Sequence, residues 1–250
     1  MRIGRVAGLW RYPVKSMAAE ALDEVFVSWH GLAGDRRWAF VRPGIPRSGF
    51  PWLTIRGLPE MSRYRPYFRD PKRPDASSTI VRTPAGEEFE VVDPALAGTL
   101  GDGVRVIKQN VGVFDAMPLS LLTTQALAAL GEFAGADLDP LRFRPNLLID
   151  AAGDLAFPED GWCGAVLRVG ELLMRMDRRD QRCVLVNVDP ATTERDPKIL
   201  RAIARERDAC LGVYGTTVTP GRVAVDDAVH LDLPKRHAFA AAERHEGANG

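Results

Sequence analysis

Apolar residues in this chain come in short runs, many of them alternating, broken repeatedly by glycine or proline, and that punctuation limits what it can become. A strand turns its side chains to opposite faces at period two, whereas a surface helix repeats near 3.6 residues. Ile3 to Leu9, Leu22 to Trp29, Trp38 to Arg42, Trp52 to Ile55 and Val104 to Lys108 all read as strands. In the second of these, Val25, Val27 and Trp29 share a face, and Gly31 and Gly34 bracket the turn that follows. Ser78 to Val92 reads as a hairpin turning at PAGE. Arg142 to Asp150, AVLRVGELLMRM, RCVLVNVD and LGVYGTTVTPGRVAVDDAVHL supply the later strands, the last with a turn at TPGR. Pro43 to Pro51 and the basic, proline-rich Tyr64 to Asp75 read as loops.

Two segments carry a helical period. In SLLTTQALAALGEFAG, Ser120 is a candidate cap, Leu121, Leu122, Ala126, Leu127 and Leu130 share a face, and Gly131 or Gly135 ends the run. In Asp196 to Asp208, Asp196 is the cap and Pro197 the first helical residue. Many strands with two helices predict a mostly β (α+β), barrel-like fold. The division expected is 1–114 and 115–235, with a disordered tail over 236–250.

The charges exclude several classes of function. The 33 basic side chains balance the 33 acidic ones, so no global field attracts nucleic acid or an anionic membrane. An anion site therefore has to be built locally. Arg63, Arg65, Arg69, Lys72 and Arg73, interleaved with Tyr64, Tyr67 and Phe68, could touch nucleic acid, but in a neutral chain they read as a solvated loop. No apolar run is long enough to span a bilayer, and the N-terminus carries no signal-type apolar stretch. Three widely spaced cysteines make neither a disulfide framework nor a four-thiolate cluster, so a cytoplasmic protein with reduced thiols and no internal iron–sulfur cluster is expected.

One of those cysteines has an unusual setting. In RRDQRCVLVNVDPAT, Cys183 follows Arg178, Arg179 and Arg182. Nearby positive charge favours thiolate, the form that attacks carbon or binds metal. As a strand, this stretch would turn Cys183, Leu185 and Asn187 to one face and the valines to the core. By itself that leaves Cys183 open between a small buried hydrophobe, a nucleophile and a metal ligand. Of the three arginines, Arg182 is the expected site neighbour, and Arg178 and Arg179 read as a wet turn. Cys163 and Cys210 lack such a setting and read as structural. The four histidines are scattered, and a Cys183–His30 hydrolase pair has no local signature.

Other basic motifs lie far away in sequence. YPVKS places Lys15 beside Ser16, a charge and a hydroxyl suited to phosphate. GDRRW puts Arg36 and Arg37 on opposite faces of an emerging strand. LRFRPNLLID puts Arg142 and Arg144 on one face and follows them with Asn146, and an arginine among Phe143, Leu147 and Leu148 needs an anionic partner to be buried.

Taken in order, LWRYPVKS, GDRRW, DAMPLSLLTTQAL, RFRPN, RCVLVNVDPAT and LGVYGTTVTPGRVAVDD resemble the MOSC family, the domain type of the molybdenum-cofactor sulfurase C-terminus, with its N-terminal β-barrel partner. The resemblance covers most of the chain. It implies that Cys183 ligates molybdenum, and that Lys15, Ser16, Arg36, Arg144, Asn146 and Arg182 line a molybdenum cofactor (Mo-molybdopterin). A soft thiolate suits a metal already held by sulfur. The activity implied is reduction of N-hydroxylated small molecules, with electrons from a separate ferredoxin- or flavoprotein-type donor, since no ferredoxin-type domain is present. The alternative is a non-enzymatic carrier of the cofactor or of persulfide sulfur. Gln181 stands where relatives more often have a small residue, which alters the wall beside Arg182.

Overall fold

The computed structural model describes residues 1–44 and 50–232. Part of the loop expected over Pro43 to Pro51, residues 45–49, lies outside them, as does the tail expected over 236–250. The elements, in chain order, are β1 (Arg2–Arg11), β2 (Glu20–Ala21), β3 (Glu24–Ser28), β4 (Gly31–Leu32), β5 (Trp38–Val41), β6 (Arg65–Phe68), β7 (Thr79–Arg82), β8 (Glu88–Glu90), α1 (Pro94–Leu100), β9 (Arg105–Lys108), β10 (Leu119–Thr123), α2 (Thr124–Ala134), β11 (Leu147–Ala151), β12 (Val166–Val169), β13 (Leu172–Gln181), α3 (Pro197–Arg207), β14 (Cys210–Thr219), β15 (Gly221–Ala224) and β16 (Ala228–Asp232).

Seven strands close a barrel in the order β1, β11, β10, β14, β13, β12, β16 and back to β1. The pairing of β10 with β11 is parallel, and the other pairings of the ring are antiparallel. Closure removes the free edges that an open sheet would present. The barrel is filled by inward residues such as Ile3, Val6, Leu121, Ile149, Leu167, Met174, Met176 and Val213. Each such large side chain contributes about 1.5–3 kcal/mol on burial. The first strand of the chain is thus a stave of a barrel otherwise made from residues beyond 118, and β3 pairs with β15, so the ends of the chain interlock.

The chain between β4 and β10 builds small sheets, β5–β9 and β6–β7–β8, around a second core that includes Val14, Met17, Phe40, Met61, Tyr64, Val81 and Leu96. A third apolar layer lies outside the barrel, where α2 and α3 cover Leu122, Leu148 and Leu211. No described helix is long and apolar enough to cross a membrane.

Several expectations shift. Leu119–Thr123 is a strand rather than the start of a helix, and α2 begins only at Thr124. Leu121 faces the barrel core and Leu122 the helical layer, so both are buried. A strand covered on both faces shows no alternation, which is why its apolar run reads as helix. Thr123, not Ser120, caps α2 by accepting from Ala126 N at 3.1 Å, and Gly135 ends it in the left-handed conformation. The helix after Asp196 is capped as expected. A third helix, α1, was not legible.

Tyr64 to Asp75 is not a plain loop, because it contains β6 and buries Tyr64 and Phe68. Trp52 to Ile55 forms only an isolated bridge to Val41. Trp29 leaves the face of Val25 and Val27 and is 63% exposed, since β3 stops at Ser28, whose hydroxyl closes a tight turn with Gly31. Arg36 and Arg37 precede β5, and the Arg37 side chain is mostly buried and pairs with Asp75.

Glu159, in the 3-10 turn Pro158–Trp162, is fully buried. It accepts from Thr123 Oγ1 at 2.6 Å, while its other oxygen has no partner among the described residues. Burial raises its carboxyl above the ordinary value. A raised folded-state value means that its contribution to stability is present at acid pH and is lost as pH rises through that value. Glu159→Gln keeps the acceptor for Thr123 and removes the charge. Thermal melts are expected to show the variant more stable than the parent at pH 8, with the gap closing toward pH 4; a gap independent of pH would refute this.

Candidate functional site

The site is assembled where β1 leaves the barrel. Asp35 has no exposed side-chain surface. It accepts from Tyr12 N at 2.7 Å and from Asn146 Nδ2 at 3.2 Å, and it pairs with the Arg36 guanidinium. Tyr12 donates its hydroxyl to Pro145 O at 3.0 Å, and Arg36 N donates to Tyr12 O at 2.7 Å. Asn146 also donates to Trp10 O and accepts from Ser120 N, both at 3.2 Å. Residues 10–16, 35–36 and 144–146 are stitched together through these buried bonds. The Arg36 and Arg144 guanidinium carbons lie 4.6 and 4.1 Å from the Tyr12 ring centroid.

Ser16, Arg36 and Arg144 all have left-handed backbones, with φ of 67°, 49° and 54°. For residues with a Cβ this costs about 1–2 kcal/mol each. Such strain concentrates where side chains must be aimed.

These residues open onto a cavity of about 470 Å³. All seven residues expected from sequence line it: Lys15, Ser16, Arg36, Arg144, Asn146, Arg182 and Cys183. Their surroundings differ from expectation. Cys183 is not on a strand. β13 ends at Gln181, before RCVLVNVD begins, and Cys183 is the exposed cap residue of a 3-10 turn, Val184–Asn187. Within the turn Val184 is exposed, while Val186 is buried in the helical layer. Arg142 and Arg144 do not share a strand face, because Arg142 lies in the 3-10 turn Pro140–Phe143 and pairs with Asp189 at 2.8 Å.

Two of the seven are held by protein rather than left free. Both Asn146 amide hydrogens are used, on Trp10 O and Asp35. Arg182 donates to Leu211 O and Phe143 O, both at 2.8 Å, and lies 2.9 Å from Asp180. These two shape the wall. The Ser16 hydroxyl and the Cys183 thiol make no hydrogen bond among the described residues. Lys15 Nζ donates to Val113 O at 3.1 Å and to Asp115 at 2.5 Å, which leaves one hydrogen.

Sequence reasoning missed Arg56, Asp180 and Tyr214, which line the cavity; Arg178 is exposed as expected, but it lies on β13 and not in a turn, and it lines the cavity as well. The clue was available: Arg178, Asp180 and Arg182 alternate at the spacing of one strand face. The cavity wall carries Lys15, Arg36, Arg56, Arg142, Arg144, Arg178 and Arg182 against only Asp115 and Asp180. Burial lowers the Lys15 value, with Asp115 opposing it. Arg144 is pushed down to about 10, by burial first and by Arg36 as well. Burial acts the same way on Arg36, but Asp35 outweighs it and the guanidinium is held above its usual value. The Asp180 carboxyl is raised by burial against the pull of Arg182, and burial raises Tyr214 too. Arg144 Nη2 and Arg142 Nε are buried without a hydrogen-bond partner among the described residues.

Cys163, Cys210, His30 and His230 do not line the cavity, and His237 and His245 lie outside the described residues. The sequence option of a Cys183–His30 pair is therefore not assembled. Among the described residues no three His, Cys, Asp or Glu side chains converge as a metal site.

The MOSC domain family model matches residues 108–230, and the MOSC N-terminal beta barrel domain matches residues 3–114. The chain belongs to the MOSC family. It is 26% identical to a molybdenum cofactor sulfurase of Drosophila ananassae over 83% of this chain and 31% of that protein. It is 28% identical to the mitochondrial amidoxime-reducing component 1 of Mus musculus over 50% of this chain and 39% of that protein. This MOSC chain thus spans well under half the length of these curated relatives. The YUAD protein of Bacillus subtilis shares the fold at a TM-score of 0.50 and 12% identity, over 91% of this chain and 94% of that one.

Removing Asp35 would strand the Arg36 charge, the Tyr12 amide and an Asn146 hydrogen together. Breaking a buried pair in this way costs about 3–5 kcal/mol. Urea unfolding of Asp35→Ala is expected to show a loss of that size. Cys183→Ser, at an exposed position, is expected to stay within about 0.5 kcal/mol of the parent.

Proposed function

We propose that this chain binds a molybdenum cofactor in the cavity and reduces N-hydroxylated small molecules there. The observation that carries the reading is the charge of the wall. A chain of zero net charge gathers seven basic side chains around one cavity; Lys15, Arg36, Arg142 and Arg182 have carboxylate partners, whereas Arg56, Arg144 and Arg178 have none among the described residues, and an unbonded thiol lies on the same wall. Buried cations without partners are costly, so the arrangement suits an anionic occupant. The names of the molybdenum cofactor sulfurase and amidoxime-reducing relatives point the same way.

The residues fit such a group. Cys183 would supply a thiolate to the metal. Lys15, with its remaining hydrogen, and Ser16, with its free hydroxyl, would hold phosphate oxygens, with the Arg144 guanidinium adding positive charge to the same wall. Asn146 and Arg182 would act at one remove, by fixing the backbone that carries Arg144. When bound, the cofactor supplies a metal centre that accepts and passes on two electrons. Cleaving N–OH consumes two electrons and two protons and releases water. Asp180 and Tyr214, both shifted toward their protonated forms, would hold protons at the wall. The electrons would come from a separate ferredoxin- or flavoprotein-type reductase, and the compartment expected is the cytoplasm.

A second reading keeps the same site without turnover: a carrier of the cofactor or of persulfide sulfur on Cys183. It is favoured by the reach of the sulfurase similarity, 83% of the chain against 50% for the amidoxime-reducing one.

Purified protein is to be analysed for molybdenum and assayed for amidoxime reduction with an artificial electron donor. Activity is expected in the parent and only background in Cys183→Ser, whose molybdenum content should fall roughly 10–100-fold. Loaded but inactive parent protein would establish the carrier. Full activity in Cys183→Ser would remove the thiolate from the site.

A further inference from the structure

A second cavity, of about 560 Å³, lies on the other side of Arg144. Arg144 lines both cavities, as no other described residue does. The second is walled by Arg63, Arg65, Arg82 and Thr83, with Asp139 as the one carboxylate. Positive charge therefore again exceeds negative, here on a wall that includes the start of β6, the end of β7 and the β7–β8 turn.

Two buried groups of this wall lack partners, and its exposed arginines add surplus positive charge at the mouth. Arg65 sits directly opposite Arg82 in the antiparallel register of β6 and β7. Like charges facing each other across a pair of strands destabilise it. Glu88, opposite Arg82 on its other side, pairs with Arg82 at 2.7 Å, which offsets only part of that repulsion at an exposed position and leaves Glu88 engaged. Arg65 is left facing that pair, and neither it nor Arg63 makes an ion pair among the described residues. Thr83 is only 6% exposed, and its hydroxyl is buried with no hydrogen-bond partner among the described residues. The Arg144 Nη2 is unpartnered in the same way, and Asp139 does not serve it, since its carboxylate caps Leu141 N at 2.8 Å. Beside Thr83 the turn is open: Gly86 has φ of +91° and nothing within 4 Å of where a Cβ would stand.

We propose that this second cavity is a phosphate-binding site, in which Arg63, Arg65, Arg144 and the Thr83 hydroxyl receive the phosphate group of a small molecule. Guanidinium forks match phosphate oxygens in pairs, and a threonine hydroxyl adds a neutral donor. The site shares Arg144 with the first cavity, but it does not depend on what that cavity holds and needs no metal. Because Arg144 forms the partition, the phosphate can belong to a free metabolite or to the tail of a molecule whose body fills the first cavity.

The test is a calorimetric titration of metal-free protein with inorganic phosphate. Lys15 lines only the first cavity, and Arg63 and Arg65 only the second. Saturable binding is expected to survive in Lys15→Gln. Adding Arg63→Gln and Arg65→Gln is expected to weaken it about tenfold or more, the loss of charge-assisted bonds. Thr83→Val should weaken it as well. Without phosphate, the double arginine variant should melt no lower than the parent, because a like-charge pair has been relieved. Binding that Lys15→Gln abolishes, or that the double variant leaves unchanged, overturns the proposal. Repeating the titration on protein that retains its natural occupant separates the sources. A site closed to phosphate until the occupant is stripped marks a shared ligand, whereas a site open in both states marks a free metabolite. Neither outcome depends on molybdenum content or activity, so this test and that of the first cavity fail independently.

Discussion

Asp35 is the point on which the site depends. A carboxylate with no exposed surface is stable only if every oxygen is met, and here a backbone amide, a side-chain amide and a guanidinium meet it. These partners come from three separate parts of the chain. Satisfying one buried charge therefore also brings the exit of β1, the GDRRW turn and the residues before β11 to one place. The left-handed residues at 16, 36 and 144 lie at or beside this knot, and their strain is held by the bonds around it.

The closed barrel makes the knot possible. β1 is paired on one side with β11 and on the other with β16, so its end is fixed relative to both halves of the ring. Two arginines then lie against the Tyr12 ring, which is itself anchored by its hydroxyl. An aromatic face tolerates cations on it, and the arrangement keeps like charges at a set spacing. What remains unbalanced is positive charge, pooled in two adjoining cavities with Arg144 between them. The fold spends part of its stability on keeping that charge in place, a pattern expected of a ligand site and not of a core.

Much of this was legible from residue types. The strand-rich class followed from short apolar runs, and seven residues that line the first cavity were named from basic motifs, a cysteine and family resemblance. What failed did so for physical reasons. Leu119–Thr123 is covered on both faces, so no alternation marks it as a strand. RCVLVNVD spaces its valines two apart as a strand would and yet turns as 3-10, with Val186 and Val188 buried from that turn and its end. Tyr64 to Asp75 is rich in charge and proline, and its β6 is held by pairing with β7, a partner that no local pattern reveals. Arg178 and Asp180 were passed over because their neighbours in sequence looked wet.

The sequence by itself determined the supply: short strands, two capped helices, a lone cysteine in basic surroundings and a net charge of zero that forces any anion site to be local. Those are properties of residue type and spacing, which act over a few positions. Tertiary structure decided which charges are answered. That Asn146 and Arg182 are consumed by backbone carbonyls, that Arg65 faces an arginine, and that Arg144 divides two cavities depend on contacts between residues far apart in the chain. Electrostatic energies are set by distance and burial, which no spacing along a single chain specifies.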